Sequence, residues 1–448
     1  MRIALPGLAL LLFMLPVISH GQETEMQQLR AEFEALRAEY EGRIAELEQR
    51  LAVAEQNARQ AAYTTSQPGS AAAAPAATSS SQSTAFNPAI GVIFQGYAWN
   101  YSENIDEYAI QGFPFGGEAG PVSEGLGLGE TELIMSANVD DKFSAWLTAA
   151  LALEDGEAVV EVEEAWVEAT ALPGGLGAKF GRFFSSIGYL NSKHSHTWDF
   201  ADQPLPYQVF LGDQYLDDGI QLRWIAPTDL YLEVGGELLR GGRYPAGGAA
   251  DSGFGSYSLF ARLGGDVGTD NSWLAGISYI DSEALERPSG DEDEPFLFDG
   301  DSTLTNAQFV WKWAPNGNWK QRNFVFQTEL FWRNDDGVYQ GPDLSPSIYD
   351  VDQRGWYAQA VYQPRPRWRF GGRIDRLSSD DPGAVFADTL LGAPARDPRR
   401  YSLMMDWSNS EFSRLRLQFT NDETGFVDDQ QWGIQYIHSI GAHGAHAF

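Results

Sequence analysis

The chain has 448 residues, a formal net charge of −32 and no cysteine. The missing thiol rules out disulfides, zinc–thiolate sites, a cysteine nucleophile and a lipobox for an N-terminal lipid anchor. The negative charge sets the protein against nucleic acid, whose phosphates it would repel.

Residues 1–21 read as a secretory signal peptide: Arg2 supplies the positive start, Leu8–Val17 the apolar run, and Ser19-His20-Gly21 a cleavable end. The next predicted element, over 22–61, is a coiled-coil helix. Its seam is Met26, Leu29, Phe33, Leu36, Tyr40, Ile44, Leu47, Leu51, Ala54 and Ala58. Steps of three and four alternate except for one doubled four, a stutter at Tyr40–Ile44 that locally unwinds a left-handed supercoil. At 1.5 Å per residue the helix is about 60 Å long. It is expected in the periplasm; the other reading is an amphipathic helix lying on a membrane. Apart from Tyr63, residues 62–85 are Ala, Ser, Thr, Gln, Pro and Gly, the composition of a flexible linker.

From Phe86 to Phe448 the pattern changes to period two. Phe143, Ala145, Leu147, Ala149, Leu151 and Leu153 alternate with Ser144, Trp146, Thr148, Ala150 and Ala152, which puts each set on its own face of a strand. Sixteen such runs begin near 90, 128, 143, 158, 176, 218, 229, 255, 271, 304, 321, 354, 367, 399, 411 and 430. Short connections rich in turn residues, such as Asp140-Asp141-Lys142 and Pro227-Thr228-Asp229, alternate with longer ones, notably 101–127, 185–217, 281–303, 334–353 and 378–398. This is the asymmetry of outer-membrane barrels. Trp273 and Tyr279, Trp356 and Tyr362, and Tyr401 and Trp407 place aromatic rings six residues apart on the apolar face, as membrane interfaces require. Phe448 shares the parity of Ile434, Tyr436 and Ile440, a terminal aromatic like the recognition signal of such barrels. No run of 18 apolar residues offers a spanning helix. The mean hydropathy of −0.31 fits strands that show half their side chains to water. The expected fold is an all-β transmembrane barrel of about 16 antiparallel strands behind an N-terminal coiled-coil helix.

Several stretches carry a family resemblance: Leu172-Pro173-Gly174-Gly175-Leu176, Lys179-Phe180-Gly181-Arg182-Phe183, Ile187-Gly188-Tyr189-Leu190-Asn191, His194–Phe200 and the end Gly441–Phe448. They resemble proteobacterial outer-membrane proteins similar to phosphate-selective porins, over most of 86–448. Some members are labelled zinc-regulated TonB-dependent outer-membrane receptors. A true TonB-dependent receptor needs 22 strands and a plug domain, and residues 86–448 are too few for both. The resemblance implies an outer-membrane channel, with no enzymatic activity and no cofactor, for small hydrophilic solutes. Its surroundings would be outer-membrane lipid and lipopolysaccharide. Together with the coiled coil, the resemblance implies a homotrimer. A non-conducting barrel anchoring a periplasmic spacer, and a substrate-specific, metal-related transporter, are the alternatives.

Strand parity assigns lumen residues. One wall gives Arg369, Arg373, Arg414 and Arg416, with Arg400 near a strand end; the other gives Glu130, Glu132, Glu164, Glu168, Glu233 and Glu237. Arg223, Arg262 and Lys312 add positive charge. Opposed walls of this kind make a transverse field that favours polar solutes, with the arginines guiding anionic groups; a bracing network of salt bridges is the plainer reading. Segment 185–217 is too apolar to stand in solvent, so it is expected to fold into the lumen as a constriction carrying Trp198, Asp199, Phe200, Asp202, Tyr207, Phe210 and Asp213. Packing over a neighbouring subunit is the other reading. His194 and His196 with Asp199 form a candidate metal pair, and His438, His443 and His446 a second cluster. The acidic run Asp291–Glu294 could hold divalent cations near lipopolysaccharide, though a plain solvated loop is the better reading. Ser195 beside His194 and His196, or Ser439 beside His438, are poor hydrolase candidates, since triads converge from separate elements.

Overall fold

The computed structural model describes residues 88–441 except 106–107, 118, 155–156, 248–252, 292 and 343. The signal peptide, coiled coil, linker, His443, His446 and Phe448 lie outside the described residues.

Among the described residues seventeen strands follow one another: β1 (Ala89–Asn100), β2 (Gly125–Leu128), β3 (Thr131–Asn138), β4 (Phe143–Glu154), β5 (Glu157–Ala169), β6 (Leu176–Phe184), β7 (Leu216–Ile225), β8 (Tyr231–Leu239) and β9 (Ser256–Val267). Then come β10 (Asn271–Ser289), β11 (Phe296–Trp313), β12 (Asn323–Gly341), β13 (Leu344–Arg365), β14 (Trp368–Ser379), β15 (Arg399–Ser410), β16 (Ser413–Glu423) and β17 (Asp429–Gly441). From β3 onward each strand pairs antiparallel with the next, and β17 pairs with β1. Both β2 and β3 pair with β1, around Gly96–Trp99 and Ala89–Ile93 respectively, so they are two halves of one interrupted strand. The result is a closed antiparallel barrel with sixteen strand positions.

Closure removes every free sheet edge except at the rims, and alternation then sorts the side chains. On β12, Gln327, Glu329, Arg333 and Asp335 are buried inside, while Leu330 and Trp332 are exposed outside. On β14 and β16, Arg373 and Arg416 are buried, while Phe370, Ile374 and Leu417 are exposed. Charges inside and hydrocarbon outside reverse the order of a water-soluble protein, and the exterior suits lipid. Trp356, Tyr362, Tyr401 and Trp407 all face outward.

The strand starts read from sequence agree with the observed ones for most of the barrel, but two connections were mistaken. Segments 281–303 and 334–353 are mainly strand, because β10 to β13 run 19, 18, 19 and 22 residues. At about 3.4 Å per residue they are roughly twice as long as a tilted crossing of a 25 Å apolar band needs. What keeps them extended is continued inward burial. Ala284, Phe298, Tyr339, Leu344, Tyr349 and Val351 pack with Phe386 and Leu391 of the connection 380–398. Their Asp-rich outward positions gave the impression of loop.

Candidate functional site

The connection 185–215 between β6 and β7 turns into the barrel. It contains a short helix, Leu205–Leu211, every residue of which is buried. Pro206 in the first turn suits a helix start, and Gly212, at φ 62°, closes the other end in the left-handed conformation. A Cβ on Gly212 would come within 2.7 Å of the Gly116 carbonyl, so close approach also requires glycine there. The helix packs with Ile110 and Phe113 of the connection 101–124 and with Phe331 and Tyr357 of the wall. This apolar body lies within a polar lumen. Its polar anchor is Glu329, whose buried carboxylate accepts hydrogen bonds from Tyr207 Oη (2.9 Å), Tyr357 Oη (2.6 Å), Asn306 Nδ2 (3.0 Å) and the Tyr189 N–H (2.9 Å).

Along β14 to β16 the wall is basic, and the loop is bonded to it. Asp202 takes Arg373 Nη2 at 2.8 Å, Arg400 Nη1 at 3.1 Å and Gln418 Nε2 at 2.6 Å. Burial works to raise the Asp202 pKa, but the Arg373 and Arg400 charges outweigh it and hold the carboxyl below its ordinary value. Arg369 pairs with Asp199, Arg414 donates to the His196 carbonyl, and Arg416 donates to the Trp198 carbonyl at 2.6 Å. Phe200 lies under the Arg373 guanidinium at 4.8 Å, and Phe210 under Arg333 at 5.1 Å. Asp213 follows the helix in left-handed geometry, φ 73°.

Salt-bridge bracing by lumen glutamates occurs on one side only. Arg223 meets Glu168 at 2.5 Å and Arg262 meets Glu233 at 3.1 Å. Arg373, Arg400 and Arg416 instead pair with Asp375, Asp422 and Asp406 of the wall, residues the sequence reading passed over. Glu237 holds the loop's root through Ser185 Oγ (2.5 Å) and the Ser186 N–H (2.8 Å). Lys312 is half-buried near the end of β11.

A second stretch of wall, on β3 and β5, is acidic. Ser195 Oγ donates to Glu130 at 2.7 Å, so this hydroxyl faces a carboxylate rather than a histidine base. His196 Nδ1 lies 2.7 Å from Glu132 Oε1, and His194 Nε2 lies 2.8 Å from Glu164 Oε2. The two imidazoles do converge, but on glutamates; Asp199 is turned away to Arg369 and Gln359. Burial works against a charge on His194, yet the neighbouring Glu163 carboxylate, the bond to Glu164 and the Glu132 charge push its pKa well above the usual histidine value. Glu163 was missed because it breaks parity. Thr148 pairs with Glu164 and Ala149 with Val162, so Glu163 is the extra residue of a β-bulge, and it and Glu164 are both buried. His438 stacks on Tyr436 at an exposed position, and Asp291 accepts the backbone N–H groups of Asp293 and Glu294 in an exposed turn.

A closed barrel with an apolar exterior, a charged lumen and a connection folded through it defines a membrane-spanning β-barrel of the outer-membrane type. The chain belongs to the family of an Aquifex aeolicus (strain VF5) protein described only as uncharacterized, which is 32% identical over 352 residues, 74% of this chain and 72% of that one. No family model matches the sequence. Among solved structures it is similar to the outer-membrane channel DcaP of Acinetobacter baumannii, with 13% identity, a TM-score of 0.48, and coverage of 79% of this chain and 97% of that one. It is also similar to an anion-selective porin from Comamonas acidovorans, with 8% identity, TM-score 0.48, and coverage of 79% and 99%. A loop-deletion mutant of OmpT from Vibrio cholerae has 11% identity, TM-score 0.48, and the same coverage.

Proposed function

We propose that the protein is an outer-membrane channel for passive diffusion of small hydrophilic solutes, constricted by segment 185–215 and biased toward anionic groups. The observation that carries this reading is where the basic side chains stand. Arg223, Lys312, Arg369 and Arg414 all lie within two residues of a strand end at the short turns and all keep partial exposure, and Arg369 and Arg414 bond to the loop. Such a basic vestibule between low-dielectric walls concentrates anions. Arginine stays charged at every relevant pH. The protein works as a homotrimer in outer-membrane lipid and lipopolysaccharide, its coiled coil in the periplasm; the heptad pattern of 22–61 supports self-association.

Purified full-length protein in a planar bilayer tests this. Conductance steps in triplets, with a reversal potential of anion-selective sign in a salt gradient, are expected. The buried apolar cluster around the loop helix favours a second reading, a sealed barrel that anchors the coiled coil as a spacer. A folded barrel that never conducts would select that reading instead.

A further inference from the structure

We propose that Glu132, Glu163 and His194 form a binding site for one divalent transition-metal ion of the zinc class, which ties the lumen segment to the acidic wall. Three ligand atoms converge: Glu132 Oε2 from β3, Glu163 Oε2 from β5 and His194 Nδ1 from the lumen segment, all within 4.8 Å of one another. His194 Nδ1 stands 3.4 Å from the first oxygen and 3.7 Å from the second. These separations are long for hydrogen bonds. Ligands 2.0–2.1 Å from a tetrahedral zinc stand about 3.4 Å apart, so they suit the edges of a coordination tetrahedron.

Glu163 gives an independent indication. It is 7% exposed, and its Oε2 accepts no hydrogen bond although it points into the cluster. A buried carboxylate oxygen left without a donor is costly unless a cation reaches it. The β-bulge exists at this residue and aims it inward beside Glu164.

The surrounding bonds fit metal ligation. His194 turns its other nitrogen, Nε2, to Glu164 Oε2 at 2.8 Å, and Glu164 is itself fixed by Trp166 Nε1 at 2.9 Å. A proton on Nε2 leaves the Nδ1 lone pair for the ion, the usual carboxylate–histidine–metal arrangement. His196 Nδ1 holds the other oxygen of Glu132 at 2.7 Å, which fixes Oε2 toward the centre. One imidazole and two carboxylates, with a fourth position for water, suit zinc and its neighbours better than magnesium or calcium, which take six or more oxygens. The acidic wall and the segment meet nowhere else through three convergent ligands among the described residues. An ion here therefore acts as a clamp.

The test is zinc uptake by the full-length protein in detergent, stripped with a chelator and then titrated calorimetrically with Zn2+. One ion per chain is expected at this site, unaffected by excess Mg2+. Glu163→Gln should remove that binding event, and Glu164→Gln should weaken it about 10- to 100-fold. Failure of the wild type to take up zinc, or equal uptake by wild type and Glu163→Gln, overturns the site. Should either variant fail to fold, wild-type crystals grown with Zn2+ decide at the zinc absorption edge. An anomalous peak among Glu132, Glu163 and His194 supports the site, and its absence overturns it. The readout is the ion itself, so it stands whether or not the barrel conducts.

Discussion

Asp202 of the lumen segment and Arg373 of β14 meet at 2.8 Å, with the guanidinium fully enclosed and the carboxylate nearly so. The same carboxylate reaches Arg400, so one side chain answers two buried cations. Breaking such a pair from one side is expensive, because the charges left behind keep their desolvation cost; a loss of about 3–5 kcal/mol is typical. Asp202→Asn should therefore loosen the segment from the basic wall. Single-channel recordings should show larger and noisier openings than wild type, and an unchanged trace would remove Asp202 as a fastener.

The same contact has a pH signature. The Asp202 pKa is lowered in the folded protein, so its contribution is present above the ordinary carboxylate value of about 3.9 and fades only as pH falls through the lower folded value. Conductance attributable to seating of the segment should thus hold steady from neutral pH into mild acid and rise only in strong acid. Opening that is complete while the pH is still near 6 would contradict this assignment.

Glu329 gathers three side-chain donors and one backbone N–H. Glu329→Ala would leave them buried without an acceptor, at about 1–3 kcal/mol for each group not rescued by water. Trypsin offers a direct readout, since Lys193 lies in the segment that Glu329 holds. Faster cleavage at Lys193 in an otherwise folded barrel is expected. Equal cleavage rates would show that the segment is held without this carboxylate.

Selectivity should follow the partly exposed arginines rather than the enclosed ones. Arg369→Ala and Arg414→Ala together should shift the reversal potential toward cations. Arg416→Ala should chiefly destabilise the fold, because Arg416 is fully buried against Asp406. A melting curve and a reversal potential for each variant separate the two effects.

Alternation made most of the barrel legible from sequence, since a strand between lipid and a polar lumen must switch polarity at every residue. Arg373 and Arg416, and Glu132 and Glu237, could be placed inside on parity alone. The mutual partners were not legible: that Asp202 would bridge Arg373 and Arg400 depends on how a 31-residue connection, 185–215, folds back. Glu329, Asp375 and Asp406 carry the same parity signal as their arginine and glutamine neighbours, and reading β12, β14 and β15 for acids as well as bases would have found them. The extension of β10 to β13 was hidden because Asp at outward positions beyond the lipid carries no apolar signal. Glu163 was hidden for a different reason, since period two has no means of expressing an inserted residue.

That insertion works as a change of reading frame within the strand. On the side of Glu163 nearer Glu157, Val160 and Val162 face outward only because one residue has been skipped in the pairing with β4. Were Glu163 drawn into the ladder as an ordinary paired residue, that stretch would rotate by half a turn, bringing both valines into the lumen and sending Glu161 toward lipid. Leaving this one residue unpaired thus decides which of two chemically opposite faces the rim of β5 presents to the membrane.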